Sequence, residues 1–295
     1  MPVTTTSTTI AAGPVALDVV DLDGVRRFYL DALGLQQRSA AEGVVRLGTE
    51  ERDLVVLHQA PGASPAPRNA GLFHLALLYP GRAELAEALL RLARAGSRLD
   101  GASDHLVSEA LYLHDPEGNG IELYRDRPRD QWRHEPSGQV EMATIALDLQ
   151  DLLGAARSDA PPAATPGETI MGHVHLQVAD LAATRAFYVD LLGFDVATDS
   201  YPDALFLATG GYHHHVGTNV WRSRGLAAVP GARGLRHATL LLRDEAIREQ
   251  VLERLRDAGA AIDASEDGAP VVRDPAGIGL RLALADDGAG RPASP

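Results

Sequence analysis

The sequence predicts an α+β protein made of four βαβββ modules that pair into two cupped half-barrel sheets. Two observations predict it. The first is repetition. "GPVALDVVDLDGVRRFYLDALGL" from Gly13 and "GHVHLQVADLAATRAFYVDLLGF" from Gly172 share the frame G-x-V-x-L-x-V-x-D-L, then F-Y, then L-G, at an offset of 159. "GLFHLALLYPGRAELAEALLRLARAG" from Gly71 and "GLRHATLLLRDEAIREQVLERLRDAG" from Gly234 form a second pair, offset by 163. The second observation is periodicity. Each repeat opens on alternating apolar residues, the mark of a half-buried strand, then changes to the three-four spacing of an amphipathic helix.

The elements follow in order. Module 1 opens with the strand "VALDVV". Its helix "LDGVRRFYLDALGL" ends at Gly34, where a left-handed C-cap is expected. The strands "VVRLGT" and "DLVVLHQ" come next. Module 2 runs through "LFHLALL", a helix ending at Gly96, and the strands "EALYLHD" and "GIELYRD", joined by the turn of "DPEGNG". Between Arg127 and Thr169 the pattern breaks. "QVEMATIALDLQDLLGAARSD" offers one strand and a short helix, and "APPAATPGE" has linker composition. Module 3 has the strand "VHLQV", a helix ending at Gly193, then "ALFLATG" and "HHVGTNVW" as strands. Module 4 has "RHATLLL", a helix ending at Gly259, then "APVVRD" and "GLRLALA". The Phe-Tyr pairs at 28–29 and 187–188 lie on the inner helix faces and are expected in the core. The expected divisions are a disordered tail (1–12), an N-terminal half of modules 1 and 2 (13–126), a linker (127–169), a C-terminal half of modules 3 and 4 (170–286) and a second tail (287–295).

Composition narrows the function. The formal net charge of -13, with arginines scattered among acids, argues against nucleic acid as a partner, because phosphate neutralisation needs clustered cations. No apolar run is long enough for a membrane span, and the N-terminus lacks the basic and apolar regions of a signal peptide. There is no cysteine, so thiolate metal sites, disulfides and cysteine nucleophiles are excluded. A cytoplasmic enzyme acting on a small molecule fits these facts, and a homo-oligomer is compatible with them.

The chemistry-bearing residues stand at matched places in the repeats. The position after the opening glycine, or near it, holds Pro14, His74, His173 and His237 in modules 1 to 4. On the last strands, Glu122 in module 2 corresponds to Arg281 in module 4. A single buried histidine is more often a core residue than a ligand. His58, His114 and His134 carry no such signal, His237 reads as a relic, and Arg125, Arg127 and Arg129 read as a solvated turn.

"GLFHLALLYP", "DHLVSEALYLHDPEGNGIELYRDRPRDQW", "GHVHLQVADL" and "GGYHHHVGTNVW" together resemble the four-module extradiol ring-cleaving dioxygenases of the vicinal oxygen chelate superfamily, which also holds glyoxalase I and bleomycin-resistance proteins. The resemblance covers nearly the whole chain. It implies a two-histidine, one-carboxylate metal site on first and last strands. Among the module pairings, only 2 with 3 completes that set, as His74, Glu122 and His173. Pairing 3 with 4 puts Arg281 where the carboxylate belongs, and pairing 1 with 2 puts Pro14 where a histidine belongs. The expected pairing is therefore 2 with 3 and 1 with 4. His175, on the same strand face as His173, ranks lower as a ligand.

The resemblance further implies Fe(II), with Mn(II) as the alternative, O2 as co-substrate, and a small aromatic diol such as catechol. Two imidazoles and a carboxylate leave three adjacent positions for diol and dioxygen. His215 is the expected acid-base residue, with His213 on the same strand face, and Tyr112 the hydrogen-bonding tyrosine. His105, His213 and Asn219 are expected near substrate. A glyoxalase-like isomerase is the second reading, disfavoured because module 3 offers histidines where a second carboxylate belongs. A metal-free binding protein is the third, disfavoured by the intact ligand set. Hydroquinones remain open as substrates beside catechols.

Overall fold

The computed structural model describes residues 9–66, 68–158, 160 and 162–285. The expected tails at 1–8 and 287–295 lie outside the described residues, but residues 10–12 already belong to a strand.

Module 1 comprises β1 (Ile10–Val19), α1 (Leu22–Asp31), β2 (Gln36–Ala41), β3 (Val44–Gly48) and β4 (Asp53–Gln59). Module 2 comprises β5 (Gly71–Leu78), α2 (Arg82–Arg94), β6 (Gly101–Asp104), β7 (Ser108–His114) and β8 (Gly120–Asp126). The connecting segment holds a 3-10 turn, β9 (Ile145–Ala146) and α3 (Leu149–Leu153). Module 3 comprises β10 (Ile170–Gln177), α4 (Leu181–Arg185) continued by a π-helical stretch (Ala186–Leu192), β11 (Asp195–Thr198), β12 (Ala204–Ala208) and β13 (Val216–Asn219). Module 4 comprises β14 (Gly234–Leu242), α5 (Glu245–Asp257), β15 (Ile262–Ala264), β16 (Pro270–Arg273) and β17 (Gly279–Leu284).

The repeated frame has a local reason at each position. Its aspartate is a helix N-cap: Asp21 accepts the Gly24 N–H and Asp180 the Ala183 N–H. Its last glycine turns left-handed, with φ of 71° at Gly34 and 90° at Gly193. The next N–H closes back on the frame tyrosine, Leu35 on Tyr29 and Phe194 on Tyr188, the six-to-one bond of a Schellman end. Tyr29 and Tyr188 are fully buried, as expected, whereas Phe28 is only half-buried.

The strands form two curled sheets. One has the order β15-β16-β17-β14-β1-β4-β3-β2, which joins module 4 to module 1. The other has the order β11-β12-β13-β10-β5-β8-β7-β6-β9, which joins module 3 to module 2. Within modules 2, 3 and 4 the first and last strands run parallel: Ala76 pairs with Glu122, Val174 with Val216 and Thr239 with Arg281. By proximity along the backbone the chain divides into two units. One contains residues up to Ala16, Ser64–Phe73 and the chain from Gly172, and the other contains Leu17–Ala63 and His74–Met171.

The π-helical turn and the strands β2, β6, β11 and β15 are not apparent in the sequence pattern. β2 is exposed at all six residues, "QQRSAA", so no buried face imposes alternation.

Each D-P-x-G turn buries its aspartate under a frame tyrosine. Asp274 Oδ1 accepts the N–H groups of Ala276 and Ile278 at 2.9 Å each, and the Tyr188 hydroxyl donates to Oδ2 at 3.4 Å. Burial pushes the Asp274 carboxyl up to about 6, despite these hydrogen bonds. Burial and the neighbouring Asp274 likewise raise the Tyr188 hydroxyl well above its usual value. Asp115 in module 2 is raised by burial in the same way. An unfolded aspartate titrates near ~3.9, so the folded chain holds this proton where the unfolded chain has lost it. The contribution is fully present below about pH 4 and is lost as pH rises through about 6. The Asp274→Asn protein keeps the Oδ1 acceptor and cannot ionise. Its stability relative to wild type is expected to rise by on the order of 2–3 kcal/mol between about pH 4 and pH 6.5, read by urea unfolding at both.

Candidate metal centre

His74 sits on β5, two residues before Ala76, whose register partner on β8 is Glu122. Side chains two apart share a strand face, so the histidine and the carboxylate converge. Their atoms meet, with His74 Nε2 3.0 Å from Glu122 Oε2. Both are buried, at 6% and 3% exposure. His173 on β10 is buried more deeply, at 1%. One ligand atom from each of His74, Glu122 and His173 lies within 4.8 Å of the others, so these three could hold a metal ion. Two neutral imidazoles and one carboxylate, withdrawn from water, fit a first-row divalent ion with adjacent open positions. A buried carboxylate also needs a cation nearby, and among the described residues no other group of three such side chains has this geometry.

The floor beside Glu122 is small. Ala76 and Ala110 are fully buried in a cluster with Tyr124, against which Leu78 and Tyr112 pack. Tyr112 is the register partner of Glu122 across β7 and β8. Its ring centroid lies 5.7 Å from that of His74. The Tyr112 hydroxyl is 2.7 Å from His105 Nε2. The structure thus links Tyr112 and His105 directly.

The histidine run of module 3 departs from expectation. β13 begins at Val216, so His213, His214 and His215 precede the strand and do not alternate across it. The ring against His173 is His214, with centroids 4.0 Å apart, while His213 stands at 6.3 Å. His213 and His214 share a hydrogen bond between their Nδ1 atoms at 2.8 Å. His215 is tied to Thr209. Its Nδ1 accepts the Thr209 N–H at 3.3 Å, and the Thr209 hydroxyl donates to the Ile10 carbonyl at 2.8 Å. This stitch also explains why residues 10–12 are strand and not tail. The sequence signal for His214 was its place in the triplet, obscured by the assumption of strand alternation.

His175 and Asn219 belong to a neighbouring wall. Asn219 Nδ2 and His175 Nε2 are 3.0 Å apart, and the His175 ring contacts Phe73, Phe206 and Trp221. The register partner of His175 is Gly217. A Cβ there would stand 3.0 Å from the imidazole, so any larger residue would press the ring out of its present place.

The second sheet has lost the carboxylate. Arg281 occupies the place of Glu122 and forms an ion pair with Asp267. Although burial pushes the Asp267 carboxyl up, hydrogen bonds from Arg281 and Ser265 hold it well below its usual range. The arginines expected in a solvated turn also have partners. Arg125 and Arg127 both reach the buried Glu109, and Arg129 lies over the Trp132 ring at 5.5 Å.

Comparison with known proteins agrees with this layout. The Glyoxalase/Bleomycin resistance protein/Dioxygenase superfamily model matches residues 12–123 and 170–282. The catechol-2,3-dioxygenase of Bacillus subtilis (strain 168) is 40% identical over 260 residues, covering 86% of this chain and 90% of that protein. Biphenyl-2,3-diol 1,2-dioxygenase 3 of Rhodococcus globerulus is 31% identical over 114 residues, covering 37% of this chain and 60% of that protein. Among solved structures, glyoxalase I of Zea mays shares the fold at a TM-score of 0.57 and 15% identity, covering 94% of this chain and 92% of that one. The chain therefore belongs to the Glyoxalase/Bleomycin resistance protein/Dioxygenase superfamily, and within it is a catechol-2,3-dioxygenase-like enzyme.

Proposed function

We propose that this enzyme is an extradiol dioxygenase that inserts O2 into catechol or a substituted catechol, at Fe(II) held by His74, Glu122 and His173. The observation that carries the reading is the convergence of these three buried side chains in a chain 40% identical to a catechol-2,3-dioxygenase. The metal, when bound, brings the diol and O2 together and passes electron density from one to the other; Mn(II) would suit the same donors. The ring opens beside the paired hydroxyls, and both oxygen atoms enter a muconic semialdehyde-type product, so no external reductant is consumed.

The chain's own residues supply proton handling and shape. We assign proton movement to His214, with His213 behind it, because a neutral imidazole takes and returns protons near pH 7. The His213–His214 bond holds one proton between two rings, beside His173. His215, tied to Thr209, acts in this reading by fixing the loop. Ala76 and Ala110 put small side chains on the strand face beside Glu122. The functional halves of this reading are 13–126 and 170–286, each supplying part of the ligand set.

The test is anaerobic reconstitution with Fe(II), then catechol and air. Stoichiometric oxygen uptake with a yellow ring-cleavage product is expected. The His214→Ala protein should lose about a hundredfold in kcat and His215→Ala much less. Tight metal binding without oxygen uptake across catechols and hydroquinones would refute the reading.

A further inference from the structure

We propose that Trp221 and Phe73 form an aromatic rim that selects diols whose ring carries a flat, apolar substituent, such as a second aromatic ring. That the ligand is a diol rests on the extradiol reading. The rim itself rests on contacts among residues of one compact unit.

Trp221 is 47% exposed. A lone exposed apolar residue needs no explanation. This one is held as firmly as a core residue. Its indole Nε1–H donates to the Pro202 carbonyl at 3.1 Å, and its backbone N–H donates to Asn219 Oδ1 at 3.2 Å. On one side the Val220 N–H reaches the Asp203 carbonyl at 3.0 Å. On the other, the buried Ser223 hydroxyl donates to the Val178 carbonyl at 2.9 Å, and the Gly225 N–H to the Ala179 carbonyl at 2.8 Å. Phe73 stands edge-on to the indole, with centroids 5.3 Å apart and planes at 76°. A mobile surface ring loses rotamer freedom when a ligand covers it, whereas a ring already fixed does not.

The rim is continuous with the candidate centre. His175 follows His173 by two residues on β10, so the two share a strand face. The His175 ring lies 5.0 Å from Phe73, 5.8 Å from Trp221 and 5.6 Å from Phe206. Phe206, backed by Tyr201 at 5.6 Å, lies 5.0 Å from His214, the ring that stands against His173. Asn219 ties the outer end together, since its Nδ2 donates to His175 Nε2 at 3.0 Å while its Oδ1 holds Trp221. An unbroken run of rings therefore leads from a buried candidate ligand to an exposed indole. Phe206 is buried, Phe73 half-buried and Trp221 the most open of the three.

The chemistry of the surface defines what it accepts. Aromatic rings attract other rings offset-stacked or edge to face, beyond the gain from apolar area alone. A bare catechol is spent at the metal and leaves nothing to lie on the rim. A catechol with a second ring has that surface to spare, and covering the indole removes apolar area of both from water. The charged neighbours are Arg224, already paired with Asp203, and the exposed Arg222. Arg222 is the group that would favour a carboxylate-bearing diol instead.

Two measurements on the full-length Fe(II) protein test this. The chain has two tryptophans, and Trp132 is buried, so in Trp132→Phe the fluorescence belongs to Trp221. Under anaerobic conditions 3-phenylcatechol or 4-phenylcatechol is expected to change that emission and to bind about tenfold tighter than catechol. Should Trp132→Phe fail to fold, the difference between wild type and Trp221→Phe reads the same signal. Binding of both phenylcatechols without a change at Trp221 overturns the proposal. The second measurement is the ratio of kcat/KM for the preferred phenylcatechol to kcat/KM for catechol. It should fall about tenfold in Trp221→Ala, fall less in Phe73→Ala, and persist in Trp221→Phe. An unchanged ratio in Trp221→Ala, with both diols losing alike, marks a merely structural residue and overturns it. So does a preference for 3,4-dihydroxybenzoate that Arg222→Ala abolishes. Failure of the extradiol reading would look different: no oxygen uptake with any diol, while a phenylcatechol still changes Trp221 emission.

Discussion

The Glu122→Ala protein is expected to retain no Fe(II) through gel filtration, while His237→Ala retains it within about twofold of wild type. Loss of a partner behind a metal ligand already costs about 10–100-fold in affinity, so loss of the only carboxylate ligand should cost at least about a hundredfold. His74→Ala should behave like Glu122→Ala. His237 is the repeat equivalent of His74, half-buried on β14, but its sheet offers Arg281 where the other offers Glu122. A guanidinium already paired with Asp267 repels a divalent ion. Metal content by mass spectrometry after reconstitution separates the outcomes. Metal lost from His237→Ala and kept in His74→Ala would mean that the other sheet holds the site.

Glu109→Ala should destabilise the protein by about 3 kcal/mol or more, the second large effect. Glu109 is buried on β7 at 3% exposure and is shared by three guanidinium groups: Arg82 at 2.8 Å, Arg125 at 2.9 Å and Arg127 at 3.1 Å. Removing the carboxylate leaves three like charges facing one another with only Asp104 and Asp151 still paired to two of them. Arg82 and Arg127 keep about a quarter of their surface in water, which limits the penalty. The urea midpoint of Glu109→Ala reads the loss. Replacing Arg129, which stacks on Trp132, is the control; its midpoint should stay within the range of ordinary surface changes. Glu109 also lies three residues before Tyr112 on the same strand, so the cluster braces the strand that carries the hydrogen-bonding tyrosine.

The amino-acid sequence by itself determined the repeating unit and its helix ends, and the resemblance it carries pointed to a candidate ligand set. These are local or period-bound properties. Asp21 and Asp180 cap the next turn of backbone, Gly34 and Gly193 take a left-handed φ that other residues resist, and alternation puts His74 on the same face as Ala76 whatever the sheet does later. Because the repeats align, the two-histidine, one-carboxylate set that the resemblance implies could be sought in each module pairing, and the strand orders join module 2 to module 3.

Tertiary structure decided what alternation does not reach. Exposed edge strands such as β2 have no buried face to leave a pattern. The fate of three adjacent histidines depends on where β13 begins, and hence on the Thr209 contacts to His215 and Ile10 from distant parts of the chain. The partner of His105 is a backbone carbonyl 38 residues away, and every residue has a carbonyl, so no side-chain signal marks it. Arg125 and Arg127 looked like part of a solvated turn because charge pairing across strands has no sequence period. Short-range sterics are written in each residue and its neighbours, whereas hydrogen bonds between remote segments exist only once the sheets have formed.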